Sequence, residues 1–394
     1  MSLLMAFSIV LIVLSLGDIA SAKTKAFVPS VFVSALLFLF GFWTFFPPDI
    51  VALAGFQMPI VTLSMYLLIT HMGTMLSVRE LAAQWRTIAI ALIGIVGIVA
   101  LTMTVGAAIF GFETALVATP PLTGGIVAAI VMSDAATAAG RDSLAILAII
   151  TYVMQGFVGY PLTAIMLKKE GTRLVNGFRS GEMKHVKDES KAVDAPAKKK
   201  LLPALPKDYQ TTYILLARLG LAAWAAVAFA GFIKPFIDIS PFVMCLFFGV
   251  IAQEIGFVEQ RPLNLSGSFG FLITVLMAYV FAGLSRATPA MLMEIVVPLG
   301  GIIILGVTGM AILSMVLGKK LGYTKEMSFA VALTALYGFP PNYILTEEAS
   351  KAIGKTQEER DFLMDTMLPK MLVGGFTTVT IVSVIIAGIF VNYM

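Results

Sequence analysis

Charge is scarce in this chain. Of its 394 residues only 13% are Asp, Glu, Lys or Arg, against 59% hydrophobic, and the mean hydropathy is +0.94. Soluble globular domains carry about a quarter charged residues, so that class is excluded and a polytopic membrane protein is left. Cysteine is nearly absent too: a single Cys245 rules out an intramolecular disulfide framework, and two histidines, His71 and His185, without a second cysteine form no zinc or haem cluster. No cofactor is expected. The sequence has no HExxH, no GxSxG and no two aspartates in matching contexts, so an enzyme is not expected either. The net charge of +4 is no nucleic-acid signature, because the basic residues lie in short loops, where they set membrane orientation. The first apolar segment, Leu3 to Leu16, lacks a basic leader and an A-x-A cleavage site and reads as a retained helix.

What is present is a pair of interrupted apolar stretches. Ala118 to Asp142, ATPPLTGGIVAAIVMSDAATAAGRD, carries Pro120-Pro121 and Gly124-Gly125 and is a poor single spanning helix. Ala332 to Gly354, ALTALYGFPPNYILTEEASKAIG, repeats the plan, with its break at Gly338 to Asn342. Superposed, Ser133-Asp134-x-Ala136-Thr137 meets Thr346-Glu347-x-Ala349-Ser350, and each arm closes on a glycine, Gly140 or Gly354. Paired interruptions in corresponding halves point to the binding site of a secondary transporter.

In order, apolar helices are expected at about Leu3–Ala20, Pro29–Phe46, Pro59–Leu76, from there to Phe110, and Ser143–Leu167. After a polar linker, Lys168 to Asp208, with eleven basic and six acidic residues, they resume at about Thr212–Phe232, Ile239–Gly256, Gly270–Leu284, Ile295–Leu317 and Leu368–Val391. Residue echoes accompany the restart: Val28-Pro29-Ser30 and Ile239-Ser240-Pro241 open matching helices, and Gly111-Phe112 and Gly322-Tyr323 introduce the two stretches. If both stretches crossed the membrane, with the linker inside, the short loops holding Lys23, Lys25, Arg79, Arg86 and Arg360 would be exported, against the positive-inside rule. If both dip in and return, only Arg141, Lys234 and Arg286 of 27 basic residues face outward. Five crossings per half then make the halves inverted. The expected fold is therefore all-α, with two inverted repeats of five transmembrane helices over residues 1–167 and 209–394. Each repeat carries a re-entrant hairpin, the 168–208 linker is cytoplasmic, and both termini lie outside a plasma or inner membrane.

The run MPIVTLSMYLLITHMGTMLSVRELAAQWRTIAIALIGIVGIV, the stretch TGGIVAAIVMSDAATAAG and the stretch YGFPPNYILTEEAS resemble the bacterial glutamate:sodium symporter family over nearly all of the chain except the linker. The resemblance implies a homodimer and Na⁺-driven uptake of an anionic amino or carboxylic acid, with a hairpin-bearing bundle sliding or rocking against a scaffold. The chain departs from the family in keeping few glycines, Gly124-Gly125 in the first hairpin and Gly338 in the second. The 2-hydroxycarboxylate symporters share the plan. Proton coupling through Asp134 or Glu347, a dicarboxylate cargo and a passive channel are the competing readings.

The expected site follows. Asp134 and Glu347 are the coupling-ion residues, since an ionised carboxylate at mid-bilayer costs about 2.5–3.5 kcal/mol and is retained to meet a cation or proton. The bland alternative is that Ser133-Asp134 and Thr346-Glu347 only begin helical arms, hydroxyls capping and acids complementing the dipole, with Glu347 and Glu348 solvated near Lys351. Gly124, Gly125 and Gly338 let backbone approach a ligand; their alternative is close packing of small residues. Thr123, Ser133, Thr137, Asn342, Thr346 and Ser350 are candidate oxygen ligands for Na⁺ or substrate. Arg218 and Lys370 read as snorkelling cations, His71 as a packed histidine, and Gln155 and Tyr160 as helix–helix hydrogen bonds. Lys168-Lys169 and Lys198-Lys199-Lys200 read as topology signals touching anionic lipid.

Overall fold

A computed structural model describes residues 1–24, 27–75, 84–183, 201–203, 205–235 and 241–394. The echo at Ile239-Ser240, Lys25, Arg79, His185 and Lys198 to Lys200 lie outside them. Among the described residues every regular element is a helix. Five helices are long and apolar enough to cross a membrane: Leu3–Lys23, Trp85–Phe110, Asp142–Arg179, Thr212–Ile233 and Ile295–Lys320. Their outer surfaces expose Ile12, Leu16, Trp224, Phe232, Val297 and Ile304, side chains that water would not tolerate in such density. The chain is a membrane protein.

The α-helices longer than four residues are α1 (Leu3–Lys23), α2 (Ser30–Thr44), α3 (Met58–Gly73), α4 (Trp85–Leu101), α5 (Phe112–Leu122), α6 (Ile126–Ala138), α7 (Asp142–Arg179), α8 (Thr212–Ile233), α9 (Pro241–Glu254), α10 (Phe269–Ala282), α11 (Pro289–Lys320), α12 (Lys325–Leu333), α13 (Pro341–Ile353), α14 (Gln357–Thr377) and α15 (Ser383–Phe390). Two π-helical segments interrupt the pattern: Thr102–Gly106 extends α4, and Thr378–Val382 joins α14 to α15. They form two compact units. One holds α3, α8, α9 and most of α10; the other holds α1, α2, α4 to α7 and α11 to α15. Both interrupted stretches belong to the second unit.

In the smaller unit, His71 is fully buried at the end of α3, its Nδ1 accepting from Leu263 N–H at 3.2 Å. Arg218 donates to the Gly256 carbonyl at 3.1 Å and stands 3.6 Å from Glu259, so its charge is met inside the unit where snorkelling was expected. Lys370, in the larger unit, lies 5.4 Å from the centre of the Tyr323 ring.

Several boundaries differ from the sequence expectation, α11 beginning at Pro289 among them, and three bear on the site. Helix α7 runs on to Arg179, past Lys168, because its extension is amphipathic: Glu170, Gly171, Leu174 and Val175 are buried while Thr172 and Arg173 are exposed. Helix α14 starts at Gln357, earlier than Leu368, behind a Thr356 cap whose side chain accepts from Glu359 N–H at 3.2 Å. The first break falls at Thr123 to Gly125, after both prolines, and helix α5 ends at Leu122.

Candidate functional site

Helix α7 is the ruler against which both interrupted stretches are set, and it packs on α5, α6, α12 and α13. Glu113, in the first turn of α5, is paired with Arg141, just past the end of α6. The first stretch therefore starts and finishes together at the N-terminus of α7. The second finishes near the other end of that helix: Glu170 accepts from Thr324 at 2.7 Å where α12 begins, and Ile353 at the end of α13 abuts Gly171. From Asp142 to Glu170 is roughly 42 Å at 1.5 Å per residue.

The breaks lie between those ends. Gly124, Gly125 and Gly338 have φ of 117°, 88° and 63°, backbone that a side chain makes costly. All three abut one residue of the last π-helical segment. A β-carbon on Gly124 would stand 2.7 Å from the Ala335 carbonyl oxygen and 3.0 Å from Val379 Cγ2; on Gly125, 2.7 Å from the Val379 carbonyl and 3.0 Å from Ser383 Oγ; on Gly338, 3.0 Å from Val379 Cγ2. The two breaks thus meet at Val379. A π-helical turn leaves a carbonyl out of the regular ladder and is common at functional positions. The other π-helical segment touches the first stretch as well, where Thr119 donates to Thr102 at 2.7 Å.

Around this junction the polar groups are neutral. Thr123 is fully buried and donates to Pro120 O at 2.7 Å; Asn342, equally buried, donates to Met371 O at 3.1 Å, and its Oδ1 has no partner among the described residues. Tyr337 shares a 2.7 Å hydrogen bond with Thr163 of α7, and its ring packs 5.4 Å from Tyr160. Gln155, also on α7, is 1% exposed and neither amide atom has a partner among the described residues; the helix–helix hydrogen bond expected of it is not made. A buried amide left unsatisfied costs about 1–3 kcal/mol. Helix α6 begins at Gly125 with no side-chain cap, so the N–H groups of its first turn and the positive end of its dipole face the junction.

The structure gathers part of the expected set. Thr123, Gly124, Gly125, Gly338 and Asn342 stand at or beside the junction. Thr346 and Ser350 are buried farther along α13, their hydroxyls spent on Asn342 O at 2.7 Å and Thr346 O at 2.8 Å. Ser133 is half-buried and Asp134 and Thr137 are exposed on α6, Asp134 roughly 13 Å along the helix from Gly125 at 1.5 Å per residue. Glu347 is paired with Lys351 at 2.9 Å. The capping alternative is overturned: these residues lie inside helices that have already begun at Ile126 and Pro341, and Thr137, Thr346 and Ser350 bond back to carbonyls of their own helices. Glu348 is not solvated, since both its oxygens accept from the Ser30 N–H at the start of α2, at 3.2 Å. Sequence reasoning missed Val379 and Ser383, which carry no Gly or Pro marker. Among the described residues no three His, Cys, Asp or Glu side chains gather.

The sequence matches no known protein-family model and no curated protein.

Proposed function

We propose that this chain is a secondary active transporter that carries a small organic anion such as glutamate together with Na⁺ by alternating access, in the manner of the symporter family it resembles. The observation that carries the reading is the meeting of both helix breaks at Val379, with the ends of the two stretches at opposite ends of α7. Arms of 11 and 13 residues in the first stretch, and of 9 and 13 in the second, reach roughly 14–20 Å, short of the roughly 30 Å hydrocarbon core. We read each as a hairpin entering from one face and returning to it, one per inverted five-helix repeat. Broken backbone at that depth survives only inside protein or beside a water-filled cavity, and the junction is buried.

The uncapped start of α6 suits a carboxylate. Neutral oxygens, Asn342 Oδ1 among them, suit Na⁺, a hard cation. Asp134, exposed and away from the junction, attracts the ion electrostatically and does not ligate it at the break. The driving force is the ion gradient plus about 2.3 kcal/mol per net positive charge moved through 100 mV. The linker is cytoplasmic, both termini are outside, the membrane is the cell membrane and the assembly is a homodimer.

Uptake of labelled glutamate into proteoliposomes tests the reading. Accumulation that requires an inward Na⁺ gradient and is not supported by K⁺ is expected; uptake unchanged in K⁺ with a proton gradient imposed replaces Na⁺ coupling with proton coupling, and currents of single-channel size replace transport with a pore.

A further inference from the structure

Gln155 presents a buried polar group beside the junction whose donor and acceptor are both unused among the described residues. Its side chain direction follows from two contacts on the same face of α7. Ala148 packs with Ala128 and Met132 of α6 in one buried cluster, and Gly159 abuts Leu336 and Tyr337 at the second break. Steps of four and seven residues return to one face of a helix, so Gln155, seven after Ala148 and four before Gly159, points between α6 and the second break. Its height is fixed as well. Helices α6 and α7 are antiparallel and closed by a turn at Gly140, and positions 125 and 155 are equally far from 140, hence level with each other. Gln155 stands beside the uncapped start of α6 with an amide that has no partner among the described residues.

We propose that Gln155 is a substrate-reading residue: its Nε2 donates a hydrogen bond to a carboxylate oxygen of the carried anion, whose charge rests on the N-terminus of α6. The inference rests on the transport reading above and names one residue of that site. An amide suits the task because it adds a donor without adding charge. The anion is then held by dipoles and hydrogen bonds, and its release is not opposed by a fixed cation. The amide's Oε1 is left to accept from a donor on the same ligand, such as the ammonium of an amino acid or the hydroxyl of a hydroxy acid. A glutamine kept only for packing would have no use for two unpartnered atoms at this depth.

The test compares wild type, Gln155→Leu and Gln155→Glu in Na⁺-driven uptake of labelled glutamate, aspartate, malate and citrate, alongside thermal unfolding of the detergent-solubilised proteins without ligand. Leucine is close in size and cannot donate. It is expected to raise KM for the carried anion about tenfold or more, the size of one lost hydrogen bond to a charged group, with the unfolding temperature equal to or above that of wild type. Gln155→Glu sets like charge against the carboxylate and abolishes uptake at neutral pH. A KM within twofold of wild type in the leucine variant overturns the assignment, as does an unfolding temperature that falls while KM holds, which is the behaviour of a packing residue. If the leucine variant does not accumulate, Gln155→Asn withdraws the amide by one methylene and is read the same way, a raised KM supporting the assignment and an unchanged one overturning it. Wild type carrying none of the four anions overturns the transport reading and the assignment with it; wild-type transport with unaltered variants overturns the assignment alone.

Discussion

Gly125 and Val379 approach so closely that a β-carbon on the glycine would stand 2.7 Å from the valine carbonyl oxygen. That contact joins the first break to the π-helical segment of the last helix, and it admits no side chain. Gly125→Ala is expected to cost about 1–2 kcal/mol for its positive φ alone, with the contact adding to it. Because the added β-carbon displaces the Val379 carbonyl and with it the junction, KM should rise about tenfold or more, the size of a 1.4 kcal/mol loss in binding. Gly140→Ala is the control, because Gly140 shares a positive φ of 72° but has open space around it: it should lose stability while keeping KM. Equal KM effects in both variants would argue against the junction.

Asp134 separates ion attraction from ion ligation. Asp134→Asn, on the exposed face of α6, is expected to shift the half-saturating Na⁺ concentration a few-fold and to leave Na⁺-dependent uptake in place. Complete loss of Na⁺ dependence would move the ion site to Asp134.

Neighbouring acids on α13 should behave unequally. Glu347 makes an i,i+4 ion pair with Lys351, a partly exposed contact worth about 0.3–0.5 kcal/mol, so Glu347→Ala should barely move the unfolding midpoint. Glu348 accepts from the first turn of α2 through both oxygens, and Glu348→Ala should cost about 1–2 kcal/mol, as removal of a helix cap does. Denaturant midpoints of the two variants in matched detergent decide this, and equal midpoints would refute the difference.

Outside the apolar segments, Glu359 ties the start of α14 to the end of α7. Its oxygens accept from Arg179 at 2.7 and 2.8 Å, and the hydrogen bond from that guanidinium, with the Lys355 and Thr356 contacts behind it, holds the carboxyl down at about 2 from an ordinary 4.5. A depressed pKa contributes stability above the unfolded value and loses it as pH falls through the folded one. The stability gap between wild type and Glu359→Gln should therefore be full above about pH 4.5 and close as pH drops toward 2. A gap that widens on acidification would contradict the pairing.

How much of this was legible in the sequence varies by residue. Both breaks were visible because glycine needs no partner to be read: Gly124-Gly125 and Gly338 stand at the breaks with positive φ, whereas Pro120-Pro121 lie inside the last turns of α5. The limits of α7 and α14 were not, since amphipathic polar turns such as Glu170 to Val175 look like linker when only hydropathy is followed. Val379 and Ser383 were invisible because a π-helical turn has no local residue marker and arises from what it packs against. The hydroxyls of Thr346 and Ser350 looked like free ligands in the sequence, whereas in a formed helix the carbonyl four residues back is their nearest acceptor. Gln155 was read as a helix–helix bond because a polar residue in an apolar helix is ordinarily satisfied; that it is not became apparent only with its neighbours in place.

Cysteine accessibility at Thr123 tests the central claim, that the junction of the two breaks is the site reached alternately from each side. Thr123 is fully buried and Cys245, the one native cysteine, is buried as well. In a Cys245→Ala background, Thr123→Cys would be treated with a membrane-impermeant thiol reagent in right-side-out and inside-out vesicles, with and without Na⁺ and glutamate. The account predicts slow modification from both sides and protection when Na⁺ and glutamate are present together. Modification from one side only, with no protection by either ligand, would contradict it.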